Sequence, residues 1–177
     1  MTKQYLFAGF GGQGILFAGK LLAYKELMAD MDVSWLPSYG PEMRGGTASC
    51  GVVVSNHQIA TPIVLHPDVL IAMNLPSLDR YEDEVQSGGT IYVDSSLIER
   101  KVKRDDVTVY YVPATLLAAQ NGLDGLANMI IMGNIFKNEG VKIDDESVEK
   151  ALNKCISARH ADMLKHNRDA LVLGNNY

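Results

Sequence analysis

Residues 9 to 14 read Gly9-Phe10-Gly11-Gly12-Gln13-Gly14, between the apolar run Tyr5-Leu6-Phe7-Ala8 and an amphipathic stretch that starts at Ile15. A strand, a glycine loop and a helix in that order bring bare backbone and the first turn of a helix to one point. The unsatisfied N–H groups and the helix dipole there favour an anion, most often a phosphate. Gly9, Gly11, Gly12, Gln13 and Gly14 are therefore the first candidate binding residues. The same glycines also serve a chain that only needs helix and strand to pack closely, so the motif alone leaves both readings open.

The 177 residues, 47% hydrophobic, suffice for one domain with a buried core, expected to span residues 1–177. A net charge of −5 argues against a nucleic-acid surface. The basic group Arg100, Lys101, Lys103 and Arg104 runs straight into Asp105 and Asp106 and reads as a solvated loop. No stretch approaches the roughly 20 apolar residues of a membrane span. The opening Met1-Thr2-Lys3-Gln4 leads into too short an apolar run for a signal peptide. Cys50 and Cys155 stand alone and read as buried thiols of a reducing compartment, so the expected location is cytoplasmic.

Apolar patterning predicts strands at 3–8, 33–36 (stopped by Pro37), 47–55, 69–73, 90–93 and 107–112. It predicts helices at 15–31, 75–85 and 125–137, with a further helix capped by Asp144 and Asp145. Pro113 suits the first turn of a helix after the strand at 107–112. Asn56-His57 reads as a hairpin turn into a short strand near Ile59, which makes the sheet mixed. Residues 168–177, with Gly174-Asn175-Asn176, are expected to fray or to be held by a partner. The expected fold is α/β: three layers, α/β/α, around a mixed, mostly parallel sheet.

A dinucleotide-binding dehydrogenase wants an acidic residue at the end of its second strand for the ribose. Here that strand ends Leu36-Pro37-Ser38; Asp30 and Asp32 precede it and Glu42 lies beyond it. The following segment, Ser38-Tyr39-Gly40-Pro41-Glu42-Met43-Arg44-Gly45-Gly46, supplies a second glycine-rich loop with a phenol, a carboxylate and a guanidinium. Arg44 can pair with a phosphate or carboxylate through two hydrogen bonds, or with Glu42 of its own loop. Tyr39, Gly40, Glu42, Arg44, Gly45 and Gly46 complete the candidate binding set.

The two loops in this order, followed by Cys50-Gly51-Val52-Val53-Val54-Ser55, resemble one family: the gamma subunit of the 2-oxoacid:ferredoxin (acceptor) oxidoreductases. The similarity continues through Pro67-Asp68-Val69-Leu70-Ile71-Ala72-Met73-Asn74 and Gly88-Gly89-Thr90-Ile91-Tyr92-Val93-Asp94, and thins after about residue 145. The resemblance implies one subunit of an enzyme that oxidatively decarboxylates a 2-oxoacid, passes the acyl group to coenzyme A and reduces ferredoxin. It implies alpha and beta partners, with a ferredoxin-like delta subunit in some members, that carry thiamine diphosphate, Mg and the iron–sulfur clusters.

The residues agree about what this chain lacks. It has no G-D-G followed by paired asparagines for thiamine diphosphate and its metal, and two cysteines cannot ligate a four-cysteine cluster. His57, His66, His160 and His166 are scattered, and no catalytic triad or metal constellation is visible. By resemblance, the role is to complete the active-site cleft and help bind CoA, with no catalytic or metal residue of its own. Gly45-Gly46 after Pro41-Glu42-Met43-Arg44 looks more like the 2-oxoglutarate and branched-chain branches than the pyruvate branch. 2-Oxoglutarate is therefore expected first and 2-oxoisovalerate next, with pyruvate and indolepyruvate as further alternatives. A free-standing nucleotide-binding protein and a non-catalytic assembly protein are the competing classes.

Overall fold

A computed structural model describes residues 1–38, 47–157 and 160–177. The elements, in chain order, are β1 (Thr2–Phe10), α1 (Ile15–Leu27), β2 (Asp32–Ser38), β3 (Thr47–Ser55), β4 (Val69–Ala72), α2 (Leu75–Tyr81), β5 (Thr90–Asp94), β6 (Thr108–Val112), α3 (Ala114–Gln120), α4 (Ala127–Asn138), α5 (Glu146–Cys155) and α6 (Ala161–Asn176). Among the described residues the six strands form one sheet in the order β2-β3-β1-β4-β5-β6. Strands β1, β4, β5 and β6 are parallel neighbours, while β3 runs antiparallel between β1 and β2.

The buried strands read as unbroken apolar runs because alternate residues feed two different cores. Tyr5 and Phe7 of β1, Val69 and Ile71 of β4, and Tyr92 of β5 join the larger core under α1, α3 and α4. Leu6, Leu70, Ala72, Ile91 and Val93 point the other way, into the smaller core with Leu78 of α2. Helices α5 and α6 pack on α1 and α4. The result is the three-layer α/β/α arrangement with a mixed sheet that the patterning predicts.

Local expectations fail in five places. The sheet is mixed because of β3 itself, and no strand forms near Ile59. Both sides of β3 are already paired, to β1 and β2, so a hairpin strand would find no open ladder there. Pro37 does not stop β2, which runs to Ser38 as an edge strand where a missing N–H need cost no ladder bond. The second predicted helix ends at Tyr81 and tightens into a 3₁₀ turn at Glu82–Glu84.

Residues 168–177 do not fray: they are the last turns of α6, with Ala170 and Leu171 fully buried. Gly174 is the reason. It lets α6 lie directly against the backbone of α4 near Ile130, and Gly133 of α4 gives the same access opposite Leu171. Asn134 Nδ2 donates to the Gly174 carbonyl and Asn175 Nδ2 to the Gly133 carbonyl, both at 3.3 Å.

The basic group at 100–104 is likewise more than a solvated loop. Arg100 Nη2 reaches Glu82 Oε2 at 2.6 Å and Arg104 Nη2 reaches Asp106 Oδ2 at 2.6 Å. Lys103 donates its N–H to the buried Glu82 carboxylate, so this segment ties the β5–β6 connection onto the end of α2. Among the described residues no helix is long and apolar enough to cross a membrane.

Candidate functional site at the carboxyl edge of the sheet

Helix α1 follows β1 toward β2 on one face of the sheet, whereas α2 follows β4 toward β5 on the other. The crevice outside the carboxyl ends of β1 and β4 is thus a topological switch point, the usual ligand position in an open α/β sheet. Five of the candidate residues, Gly9 to Gly14, sit in that crevice. The other six (Tyr39, Gly40, Glu42, Arg44, Gly45 and Gly46) lie outside the described residues. Their flanks do not: Ser38 ends β2, and Thr47, paired in register with Phe10, begins β3 at this same edge.

Each residue of the first loop has a distinct task. Gly9 is packed so closely that a Cβ would lie 2.7 Å from both Gln13 Oε1 and Ile15 Cδ1 and 2.9 Å from Met73 Cβ. Gly12 and Gly14 have φ of 92° and 72°, a left-handed backbone that other residues adopt only with strain. Around Gly11 and Gly12 a Cβ would meet nothing within 4 Å, which leaves their backbone open to a ligand. Gln13, one of the binding candidates, also braces the loop. Its Oε1 accepts from the Phe10 N–H at 2.6 Å, and its Nε2 donates to the Met73 carbonyl at 2.9 Å, across the switch point.

Gly14 caps α1 without a side-chain hydrogen bond, and no acidic residue lies in the first turn. The first intrahelical bond is Ala18 N–H to the Gly14 carbonyl, which leaves the N–H groups of residues 15–17 without an intrahelical acceptor. Asn128, at the start of α4, donates from Nδ2 to that same carbonyl at 3.0 Å and packs against Gly14 where a Cβ would stand. An asparagine just inside the start of a mostly apolar helix is the sequence signal for this support.

Beside the loop lies a cavity of about 260 Å³, lined by residues that include Gly12, Gln13, Met73, Leu97, Thr115 and Asp124. Its wall is stapled by Asp94, a fully buried carboxyl at the end of β5. Asp94 accepts from Thr115 Oγ1 at 2.6 Å and from the Ser96 N–H at 3.1 Å, locking the start of α3 onto the strand end. A larger hollow of about 530 Å³, near Lys142 and Arg168, lies elsewhere. It opens at the far end of α4, where Glu139 accepts from Lys3 Nζ at 2.7 Å near the amino end of β1, away from the crevice.

The same carboxyl edge carries one large exposed apolar side chain per strand end. Phe10 at the end of β1, Leu75 after β4, Leu97 after β5 and Leu116 after β6 are each 40% exposed or more. Their strands are consecutive neighbours, so the four form a row along the edge rather than a scatter. Sequence patterning had placed none of them at a site.

The donor set does not fit an iron–sulfur cluster. Cys50, of β3, is buried against Gly19, and Cys155 closes α5. Burial pushes the Cys50 thiol up to about 12 and Cys155 up to about 11, the reverse of what a thiolate ligand needs. Among the described residues no group of three or more His, Cys, Asp or Glu is placed to hold a metal ion.

Comparison with known proteins sets this geometry in context. The family model for pyruvate ferredoxin/flavodoxin oxidoreductase matches residues 4–177. Ketoisovalerate oxidoreductase subunit VorA of Methanothermobacter thermautotrophicus is 41% identical over 145 residues, 82% of this chain and 30% of that protein. The chain thus spans about a third of the length of the VorA relatives it matches. The 2-oxoglutarate synthase subunit KorC of Methanocaldococcus jannaschii is 36% identical over 155 residues, 86% of this chain and 82% of that one.

Among solved structures, the gamma subunit of a keto/oxoacid ferredoxin oxidoreductase from Geobacter sulfurreducens superposes with a TM-score of 0.80 at 27% identity, covering 98% of this chain and 96% of that one. The 2-oxoglutarate:ferredoxin oxidoreductase from Magnetococcus marinus shares the fold, with a TM-score of 0.87 at 21% identity over 99% of this chain and 30% of that one.

Proposed function

Because the chain belongs to the pyruvate ferredoxin/flavodoxin oxidoreductase family, as a chain of its gamma-subunit type, we propose that it completes a 2-oxoacid:ferredoxin oxidoreductase by closing the active-site cleft and helping to hold coenzyme A. The observation that carries this reading is the carboxyl edge. One strip of surface combines open glycine backbone, the unsatisfied N–H groups of α1 and a row of exposed apolar side chains. The row supplies the area that a partner subunit covers, and the backbone supplies donors for an anion between the two chains.

In this reading the alpha and beta subunits carry thiamine diphosphate with Mg and the iron–sulfur clusters. Those groups, when bound there, supply the decarboxylation and the electron path to ferredoxin. This chain's own part is positional: first-turn N–H groups receive a coenzyme A phosphate, and Arg44, on the second loop, adds a charge-assisted contact. Gln13 and Asn128 keep the loop in place from either side.

The oxoacid proposed is 2-oxoglutarate, converted to succinyl-CoA and CO₂, on the strength of Gly45-Gly46 and the likeness to KorC. A second reading, 2-oxoisovalerate, is favoured by the 41% identity to VorA.

The test uses the assembled enzyme. Gly12→Asp or Arg44→Ala raises the KM for coenzyme A while the KM for the oxoacid stays put. Gly11→Asp brings the same negative charge at a position with free space and without left-handed strain. Loss of assembly with an unchanged KM for coenzyme A in the surviving enzyme would make the loops structural and sink the proposal.

A further inference from the structure

We infer that the cavity beside the glycine loop takes the uncharged pantetheine arm of coenzyme A, leaving the phosphates to the loop itself. The inference rests on the coenzyme A reading above and assigns which part of the molecule goes where. Its basis is the chemistry of the lining. Among the described residues that line it, Met73, Leu97, Ala118, Ala119 and Ala127 give an aliphatic wall, with no lysine, arginine or aromatic ring. A phosphate inside would face the carboxylate of Asp124 and meet no cation among the described lining residues, and an adenine would find no ring among them to stack on.

A chain of amides and methyl groups meets the opposite situation. Its apolar stretches lie on the alanines and Leu97, and its N–H and O–H groups face a waiting acceptor. Asp124 lines the cavity and has no hydrogen-bond or ion-pair partner among the described residues. Size agrees. About 260 Å³ is just below the range of roughly 300–1,000 Å³ that holds a whole drug-sized ligand, so the space suits one segment of a larger molecule. Connectivity agrees as well. Gly12 belongs both to the anion-binding turn and to the cavity wall, as pyrophosphate and arm are adjacent in coenzyme A.

Ala119 is the position to fill. It is exposed on α3 and lines the cavity, so Ala119→Phe blocks the space without entering the core, and Ala119→Leu gives a milder version. The probes, used against coenzyme A in the assembled oxidoreductase, are S-methylpantetheine (the arm without phosphates) and adenosine 3′,5′-bisphosphate (phosphates without the arm).

The expected result is competition by both in the unaltered enzyme. In Ala119→Phe, the Ki of S-methylpantetheine and the KM of coenzyme A rise about tenfold or more, Leu falls between, and the bisphosphate Ki stays within about twofold. Failure of S-methylpantetheine to compete, unchanged constants in both variants, or a rise confined to the bisphosphate overturns the inference. Gly11→Asp separates the two levels. If it raises the KM for coenzyme A while the Ala119 variants do not, the coenzyme A reading stands and the arm assignment falls; if neither set moves it, both fall.

Discussion

Gly174→Ala is expected to destabilise the protein, although helix propensity alone says the reverse. Inside a helix, replacing glycine by alanine ordinarily gains about 1 kcal/mol. At Gly174 the added methyl falls on the carbonyl oxygen and carbon of Ile130, closer than real Cβ contacts come. The obstacle is backbone in the middle of α4, flanked by the fully buried Met129 and Ile131, and it has no rotamer to change.

Relief requires α6 to move away from α4, which opens the seam around Leu171 and lengthens the bonds from Asn134 and Asn175 that already measure 3.3 Å. Overpacking of a filled core costs about 1–3 kcal/mol, and the upper part of that range applies where backbone meets backbone. The net is a loss of about 2 kcal/mol, more than a tenfold shift in the folding equilibrium. Gly133→Ala, which places its methyl on the Leu171 carbonyl, behaves alike. Gly19→Ala is the contrast, since its methyl meets the Cys50 Sγ at 2.6 Å, a side-chain atom with some freedom. Urea denaturation followed by circular dichroism reads the midpoint and slope. A midpoint that rises in Gly174→Ala, with unchanged slope, would refute the close-approach argument.

Gln13→Ala removes both braces of the glycine loop. It should cost about 1 kcal/mol by denaturation, for one exposed and one part-buried hydrogen bond, and speed hydrogen exchange at the Phe10 amide. With Cys50 held up to about 12 and Cys155 up to about 11 by burial, neither thiol should react quickly with a disulfide reagent at pH 8 until guanidinium unfolds the chain. The same upward shifts set a pH dependence. The two thiols, Cys50 buried and Cys155 partly so, cost nothing extra below the ordinary value of 9.0, and stability falls as pH rises from there toward 11 to 12, because only the unfolded chain readily releases those protons. Alkaline denaturation midpoints measured with and without Cys50→Ala check the sign. Replacing Leu97 and Leu116 together by serine, both exposed, should leave the circular dichroism spectrum intact and weaken co-purification with partner subunits; unchanged co-purification would remove the apolar row from the interface.

The larger features of the fold were legible because they rest on period and punctuation. Continuous apolar runs gave the central strands, and Gly9–Gly14 between strand and helix gave the crevice. What the sequence hid depends on neighbours far along the chain. Pro37 and the absent strand near Ile59 turn on which strands β2 and β3 meet, and Gly174-Asn175-Asn176 turns on a glycine facing it from α4. Taken locally, a Gly-Asn-Asn terminus is a fraying signal; opposite Gly133 it is a packing device. The site divides the same way. Gln13 stands out in sequence because its spacing fits the motif, but its bracing of the loop through Phe10 and Met73 shows only in three dimensions. Asn128 and Thr115 come from α4 and α3, and no local pattern links them to residue 14 or residue 94.

The central claim is that this chain works inside a 2-oxoacid oxidoreductase. The most direct measurement is to capture it anaerobically from its own cells and assay the eluate for viologen reduction with 2-oxoglutarate, 2-oxoisovalerate or pyruvate, with and without coenzyme A. The expected result is larger subunits in the eluate and reduction that requires both coenzyme A and an oxoacid, fastest with 2-oxoglutarate. A chain that elutes alone and inert, or one whose eluate reduces viologen without coenzyme A, would contradict it.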